Sequence, residues 1–189
     1  MGGMFGEPDP AVVRKMNSLL HHRGPNGNDV WSDEQISLGH TRLAIVDLVG
    51  SDQPLLGLTR EVLVANGEIY NYREIRSQHP RFPWKTQGDS EVILALHHAS
   101  KSKHSGVLSA RQHAKWIAQL NGMYAFALWD AETGCLLLAR DPLGIKPLVR
   151  TSVEGSLLFA SESKALRAHE GHVPALDEQA LVARLAWEY

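Results

Sequence analysis

Three polar interruptions stand where apolar stretches of this chain end, and their residue types outline a binding chemistry. In "VANGEIYN" an apolar run gives way to Asn66, Gly67 and Glu68. Asn-Gly is a leading turn dipeptide, so a tight turn accounts for the pair. The same pair also presents two donors to one oxygen, a side-chain amide and a backbone N–H, with no Cβ on the glycine to hold a ligand off. That is the donor set of an oxyanion hole for acyl transfer. In "GHTRLAIVD" Arg42 lies inside a β-rich run. It makes either a structural ion pair or, through its planar fork, a bidentate clamp on a carboxylate. In "TQGDSEVIL" Asp89 precedes a helical pattern, where it caps the helix or holds an ammonium group. An oxyanion hole, a carboxylate clamp and an ammonium acceptor together suit an amino acid with a reactive carbonyl. The set lacks only a nucleophile.

Secondary structure must bring these groups together. Val12, Val13, Met16, Leu19 and Leu20 follow helical spacing, with Asp9-Pro10 as the start signal and Gly24-Pro25 as the stop. "ISLGHTRLAIVDL" is β-rich, and "EVLVANGEIYN" reads as a short strand that ends in a turn. "DSEVILALHHAS" reads as a helix capped by Asp89, and "SARQHAKWIAQL" as a second amphipathic helix. The polar, basic stretch between them, "HASKSKHSGVLS", reads as a solvated loop. Four short strands follow, "MYAFALWD", "GCLLLARD", "PLVRTS" and "SLLFAS", separated by turns at 130–134, 142–146 and near Gly155. "SESKALRA" and "DEQALVARLAWEY" are helical in pattern, and the second is still running at Tyr189, as at a domain edge. Antiparallel sheet covered by helices, an α+β layered domain, is the expected architecture.

Composition narrows the function. The chain has 189 residues, 43% hydrophobic and 21% charged, enough for one large domain with a real core. Its formal charge of −2 gives no reason to expect nucleic acid or an anionic membrane as partner. The lone Cys135 excludes an internal disulfide, points to a reducing compartment, and reads as a small buried apolar residue. No apolar run approaches the roughly 20 residues of a membrane span. The start lacks a secretory pattern, so the cytoplasm is the simplest address. No metal is expected. His21-His22 and His97-His98 are adjacent pairs whose side chains diverge by about 100° on a helix, and "HEGH" at 169–172 lacks the spacing of a zinc helix.

Several stretches, in order and at fitting spacing, resemble the N-terminal glutaminase domain of the asparagine synthetase family, the class II glutamine amidotransferases. They are "HRGPN" at 22–26, "LGHTRLAIVDL" at 38–48, "VANGEIYNYREI" at 64–75, "GDSEVILAL" at 88–96, "LNGMYAFALWD" through "ARDPLGIKPL" at 120–148, and "LLFASESKAL" at 157–166. The resemblance covers nearly the whole of 1–189 and makes it one glutaminase-type domain. It implies an N-terminal nucleophile hydrolase fold, a four-layer αββα sandwich of two antiparallel sheets. It implies L-glutamine as ligand, with Arg42 on its carboxylate, Asp89 on its ammonium, and Asn66 and Gly67 on the tetrahedral oxyanion. Glu68 and the backbone of Leu43, Ala44, Ile45 and Val46 would line the pocket. In the family the nucleophile is a cysteine exposed when the initiator methionine is removed, with its own α-amine as base. Here "MGGMFG" aligns without a gap and puts Gly2 at that position. The domain is therefore expected to be silent as a glutaminase.

Two readings of the glycine stay open. One is a pocket still shaped for glutamine. The other is a non-catalytic pseudo-glutaminase domain supporting a synthetase, as in relatives such as β-lactam synthetase. The family's synthetase domain carries a Ser-Gly-Gly-x-Asp-Ser loop for ATP, and nothing of that form occurs here. No cofactor is expected on this chain. ATP and Mg²⁺ belong to a synthetase domain in cis or in trans, and a homodimer is admitted.

Overall fold

The computed structural model describes residues 1–43, 50–104 and 106–187. Of the sequence-predicted pocket residues, Ala44, Ile45 and Val46 lie outside the described residues. Two antiparallel sheets form. The first joins β1 (Gly2–Phe5), β2 (Gly27–Ser32), β3 (Ile36–Arg42), β8 (Val149–Val153) and β9 (Ser156–Ala160) in the order β2-β3-β1-β9-β8. The second joins β4 (Leu55–Leu56), β5 (Glu61–Ile69), β6 (Gly122–Asp130) and β7 (Cys135–Arg140) in sequence order. β1 lies between β3 and β9, with Gly2 opposite both Gly39 and Ala160.

Successive strand residues face opposite sides of a sheet, and this alternation sorts the apolar residues into three layers. Leu63, Ala65, Phe126 and Leu128 turn outward onto α2 (Tyr72–Gln78), α3 (Glu91–Lys101) and α4 (Ala110–Ile117), where Val92, Leu96 and Trp116 meet them. Met4 and Leu158 turn the other way onto α1 (Pro10–Leu20) and α5 (Ser163–Leu166), against Val13, Met16 and Leu166. Between the sheets lie Ile36 and Leu38 from β3, Val62 and Val64 from β5, Ala125, Ala127 and Trp129 from β6, Phe159 and Met1. Helices outside two facing sheets make the αββα sandwich that the family resemblance implies. The Trp129 indole N–H also spans the sheets, donating to Asp33 Oδ2 at 2.7 Å.

Local chemistry explains several boundaries. Asp9 caps α1 by accepting from the N–H groups of Ala11 and Val12, and Pro10 occupies the first turn. Ser109 and Gln112 form a reciprocal capping box at α4. The last helix, α6 (Glu178–Trp187), follows the predicted pattern.

Four local expectations are corrected. Asn66-Gly67 makes no turn: β5 runs through both residues to Ile69 and stays paired with β6. Asp89 does not cap α3, whose N-cap is Ser90 with no side-chain cap bond. The basic stretch after His97 is not all loop. α3 continues to Lys101, whose ammonium is drawn in by Asp130 at 2.8 Å and Glu132 at 2.7 Å. Cys135 is half-buried rather than buried, since it opens β7 beside the hairpin turn. Two elements give little sequence signal, α2 and β2. Their apolar residues are sparse, and tertiary contacts form them.

Candidate functional site

The inter-sheet faces of β3 and β5 turn polar at their ends. On β3 the run Ile36, Leu38 continues as His40 and Arg42. On β5 the run Val62, Val64 continues as Asn66 and Glu68. The layer therefore opens into a cavity of about 440 Å³ lined by these four residues together with Met1, Gly67, Leu43 and Asp89. The predicted residues Arg42, Leu43, Asn66, Gly67, Glu68 and Asp89 are thus brought together. Gly2 is not among the lining residues. A Cβ built on it points at Met16 Cε of α1, 3.0 Å away, and it is Met1 that faces the cavity.

The exposed edge of β5 carries the donors. Ala65 gives its N–H to Gln53 Oε1 at 2.6 Å, and its carbonyl accepts from His40. Both groups of Ala65 therefore point away from β6, and in an antiparallel ladder every second residue does the same. Ile69 obeys the rule: its N–H goes to Asp89 Oδ2 at 2.7 Å. Gly67 lies between them, so its N–H faces the same way, flanked by two donors already engaged by side chains. A Cβ at Gly67 would fall 2.1 Å from the Met123 carbonyl oxygen, so only glycine fits this approach of β5 to β6. Next to it, Asn66 Nδ2 is buried and has no hydrogen-bond partner among the described residues. A buried amide donor left unpaired costs about 1–3 kcal/mol, which an incoming oxygen would recover.

Charged groups surround this edge. Arg42 is 9% exposed, and its Nη1 donates to Asp52 Oδ1 at 2.6 Å. Its guanidinium thus already holds a carboxylate. Asp89 also lines the cavity, with Oδ2 engaged by the Ile69 N–H. On the far side, the Met1 α-amine donates to Ser161 Oγ at 3.3 Å, and the Ser161 N–H returns a bond to the Met1 carbonyl at 3.0 Å. Burial, with a smaller push from the Arg23 cation, lowers that amine to about 5 against an opposing pull from Glu162. Burial would raise the Glu162 carboxyl, but hydrogen bonds from Arg23, Lys164 and His22 hold it down at about 2. At neutral pH the amine is uncharged and able to accept a proton.

Sequence reasoning missed His40, Gln53 and the cluster of Ser161, Arg23 and Glu162 around the amine. His40 was within reach of it: two residues before Arg42 on a strand, it must share Arg42's face. Gln53 and Ser161 join the site through long-range hydrogen bonds that leave no local pattern. Among the described residues no three His, Cys, Asp or Glu side chains are grouped to hold a metal ion, and no helix is long and apolar enough to cross a membrane.

Known proteins resemble this chain in sequence and in fold. Asparagine synthetase [glutamine-hydrolyzing] 1 of Bacillus subtilis (strain 168) is 32% identical over 181 residues, 94% of this chain and 27% of that protein. Asparagine synthetase B [glutamine-hydrolyzing] of Escherichia coli (strain K12) is 38% identical over 172 residues, 87% of this chain and 29% of that protein. The chain thus spans only about a quarter of the length of these relatives. Among solved structures, a glutamine phosphoribosylpyrophosphate amidotransferase from B. subtilis, complexed with ADP and GMP, matches with a TM-score of 0.70 at 24% identity. The match covers 88% of this chain and 42% of that one, and it carries the N-terminal nucleophile hydrolase fold. Residues 1–189 match the family model of the glutamine amidotransferase domain, and the chain belongs to that family.

Proposed function

We propose that this domain binds L-glutamine in the inter-sheet cavity and, as written, does not hydrolyse it. Arg42 takes the α-carboxylate and Asp89 the α-ammonium. Asn66 Nδ2 and the Gly67 N–H take the side-chain carbonyl oxygen, and Leu43 and Glu68 line the rest. The observation that carries this reading is the buried Asn66 amide, unpartnered among the described residues, on the same strand edge as Gly67 in a cavity that Arg42 and Asp89 also line. The relatives named above are glutamine-hydrolysing asparagine synthetases, which supports glutamine as ligand; ammonia transfer to an ATP- and Mg²⁺-dependent synthetase domain, in cis or in trans, in the cytoplasm, belongs to the same proposal. Silence follows from Gly2. A glycine offers no nucleophile at the position where the family carries cysteine, and losing the nucleophile costs about 10⁶-fold in turnover in a serine protease.

A second reading, a pseudo-glutaminase domain that only supports a synthetase, draws on Met1. Its side chain is 3% exposed and packs with Phe159 and Leu38 at the cavity's inner wall, where it would crowd a ligand. Calorimetry with millimolar L-glutamine separates the two. Saturable heat together with a raised melting temperature, and no glutamate produced, is the expected result. Absence of both heat and stabilisation would favour the supporting role and overturn the glutamine site.

A further inference from the structure

The hydrogen bonds at Ala65 suggest how the donor edge is held in place. Ala65 immediately precedes Asn66 and Gly67. Its backbone is gripped from two other parts of the chain. His40, on the opposite sheet, donates from Nε2 to the Ala65 carbonyl at 3.0 Å. Gln53, just before β4, accepts the Ala65 N–H at 2.6 Å. A carbonyl only accepts, so neutral His40 carries its proton on Nε2, and its Nδ1 is bare. That nitrogen is buried with no partner among the described residues, and the residue is 7% exposed. Among the described residues β4 pairs only with Val62 and Leu63, so at Ala65 the edge of β5 is held by these two side chains.

We propose that His40 and Gln53 are positioning residues that brace Ala65 from both sides and thereby aim Asn66 Nδ2 and the Gly67 N–H at the ligand's side-chain carbonyl. This rests on the glutamine reading above. His40 does not touch the reacting atoms. It fixes the peptide plane from which the donors hang, and it ties the two sheets together at the cavity. A merely structural role would weaken the binding of any ligand in the cavity. An aiming role weakens only ligands that use the aimed donors. L-Norvaline shares the α-carboxylate, α-ammonium and aliphatic stem of L-glutamine and lacks the side-chain amide, so the pair of ligands separates the two roles.

The test uses the whole chain, with His40→Ala and Gln53→Met as breaking variants and His40→Gln and Gln53→Glu as conservative ones. The last two keep a donor to the Ala65 carbonyl and an acceptor for its N–H. Losing well-aimed neutral hydrogen bonds corresponds to roughly a 2- to 12-fold weaker affinity. The breaking variants should lose that for L-glutamine and hold L-norvaline unchanged, and the conservative variants should recover. Two ligand-free readouts accompany binding. Nitrogen NMR of the parent should show His40 as the Nε2–H tautomer, and the Ala65 and Gly67 amides should exchange with solvent faster in the breaking variants. Equal losses for both ligands, unchanged glutamine affinity, or an Nδ1–H tautomer would overturn the brace. A parent that binds no glutamine would instead refute the ligand assignment, and the tautomer and exchange data would still decide the brace.

Discussion

Adding one methyl group at Gly67 should damage this domain far more than adding it at Gly2. A Cβ at Gly67 would meet the Met123 carbonyl oxygen at 2.1 Å and Tyr124 Cα at 2.7 Å. Both are backbone atoms of β6, so no rotamer change relieves the clash and β5 must lift off its partner. The residue also has a φ of +156°, which disfavours side chains. Overpacking costs roughly 1–3 kcal/mol and a strained backbone roughly 1–3 more, about 2–6 together. At about 2–4 °C per kcal/mol for a domain of this size, Gly67→Ala should melt about 4–24 °C below the parent. At Gly2 the nearest atom is Met16 Cε at 3.0 Å, the free end of a flexible side chain, and φ is ordinary. Gly2→Ala should stay within about 1 kcal/mol of the parent, helped by a stiffer unfolded chain. Thermal melts of the two variants side by side make the assay. Equal destabilisation, or a stable Gly67→Ala, would refute the steric reasoning. It would also remove the argument that glycine is required at Gly67 and merely permitted at Gly2.

Other outcomes follow from the same geometry. Asp89→Asn keeps an acceptor for the Ile69 N–H but removes the charge, so it should fold normally and bind L-glutamine roughly 10- to 150-fold more weakly, the value of a charge-assisted bond; calorimetry reads it, and parent-like affinity would unseat Asp89. Arg42→Ala should lose a similar amount, since its exposed partner Asp52 needs no replacement. His40 is held at about 3 by burial, then by the Met1 amine and Arg42, against an ordinary 6.5. The unfolded chain therefore binds the proton first, and this contribution to stability is full above pH 6.5 and lost as pH falls toward about 3. The slope is at most about 1.4 kcal/mol per pH unit. Denaturant melts at pH 7 and 4.5 should show a smaller acid loss in His40→Gln than in the parent. Gly2→Cys should release no glutamate from glutamine, because a side chain there points at Met16 of α1 and not into the cavity; glutamate above the parent's level would contradict that geometry.

Much of the architecture was legible because period-two and helical spacings are local. Met16 and Leu20 mark α1, the apolar run of Val62 to Val64 marks a strand, and Asp9 and Pro10 mark a helix start. Site groups on strand ends were legible for the same reason: Arg42 and Asn66 break apolar runs. Their local roles were less so. Asn66-Gly67 carries turn chemistry, yet pairing with β6 overrides it, and Asp89 has a capping residue's position but spends its carboxylate on Ile69 of a distant strand. The direction of Gly2 depends on which face of β1 meets α1, and that is fixed by Met4 packing on Met16 rather than by anything in "MGGMFG". Gln53 and Ser161 reach the site only through bonds spanning 12 and 160 residues, beyond the range of any spacing rule.

The central claim is a glutamine site that binds without turning over, and one NMR titration tests both halves together. Glutamine labelled with ¹⁵N at its side-chain amide is added to the folded, ¹⁵N-labelled chain at neutral pH. Saturable shifts of the Asn66 side-chain amide and the Gly67 amide, with no labelled ammonium appearing over hours, are the predicted result. Labelled ammonium above a protein-free control, or Asn66 and Gly67 resonances unmoved at millimolar glutamine, would contradict the account.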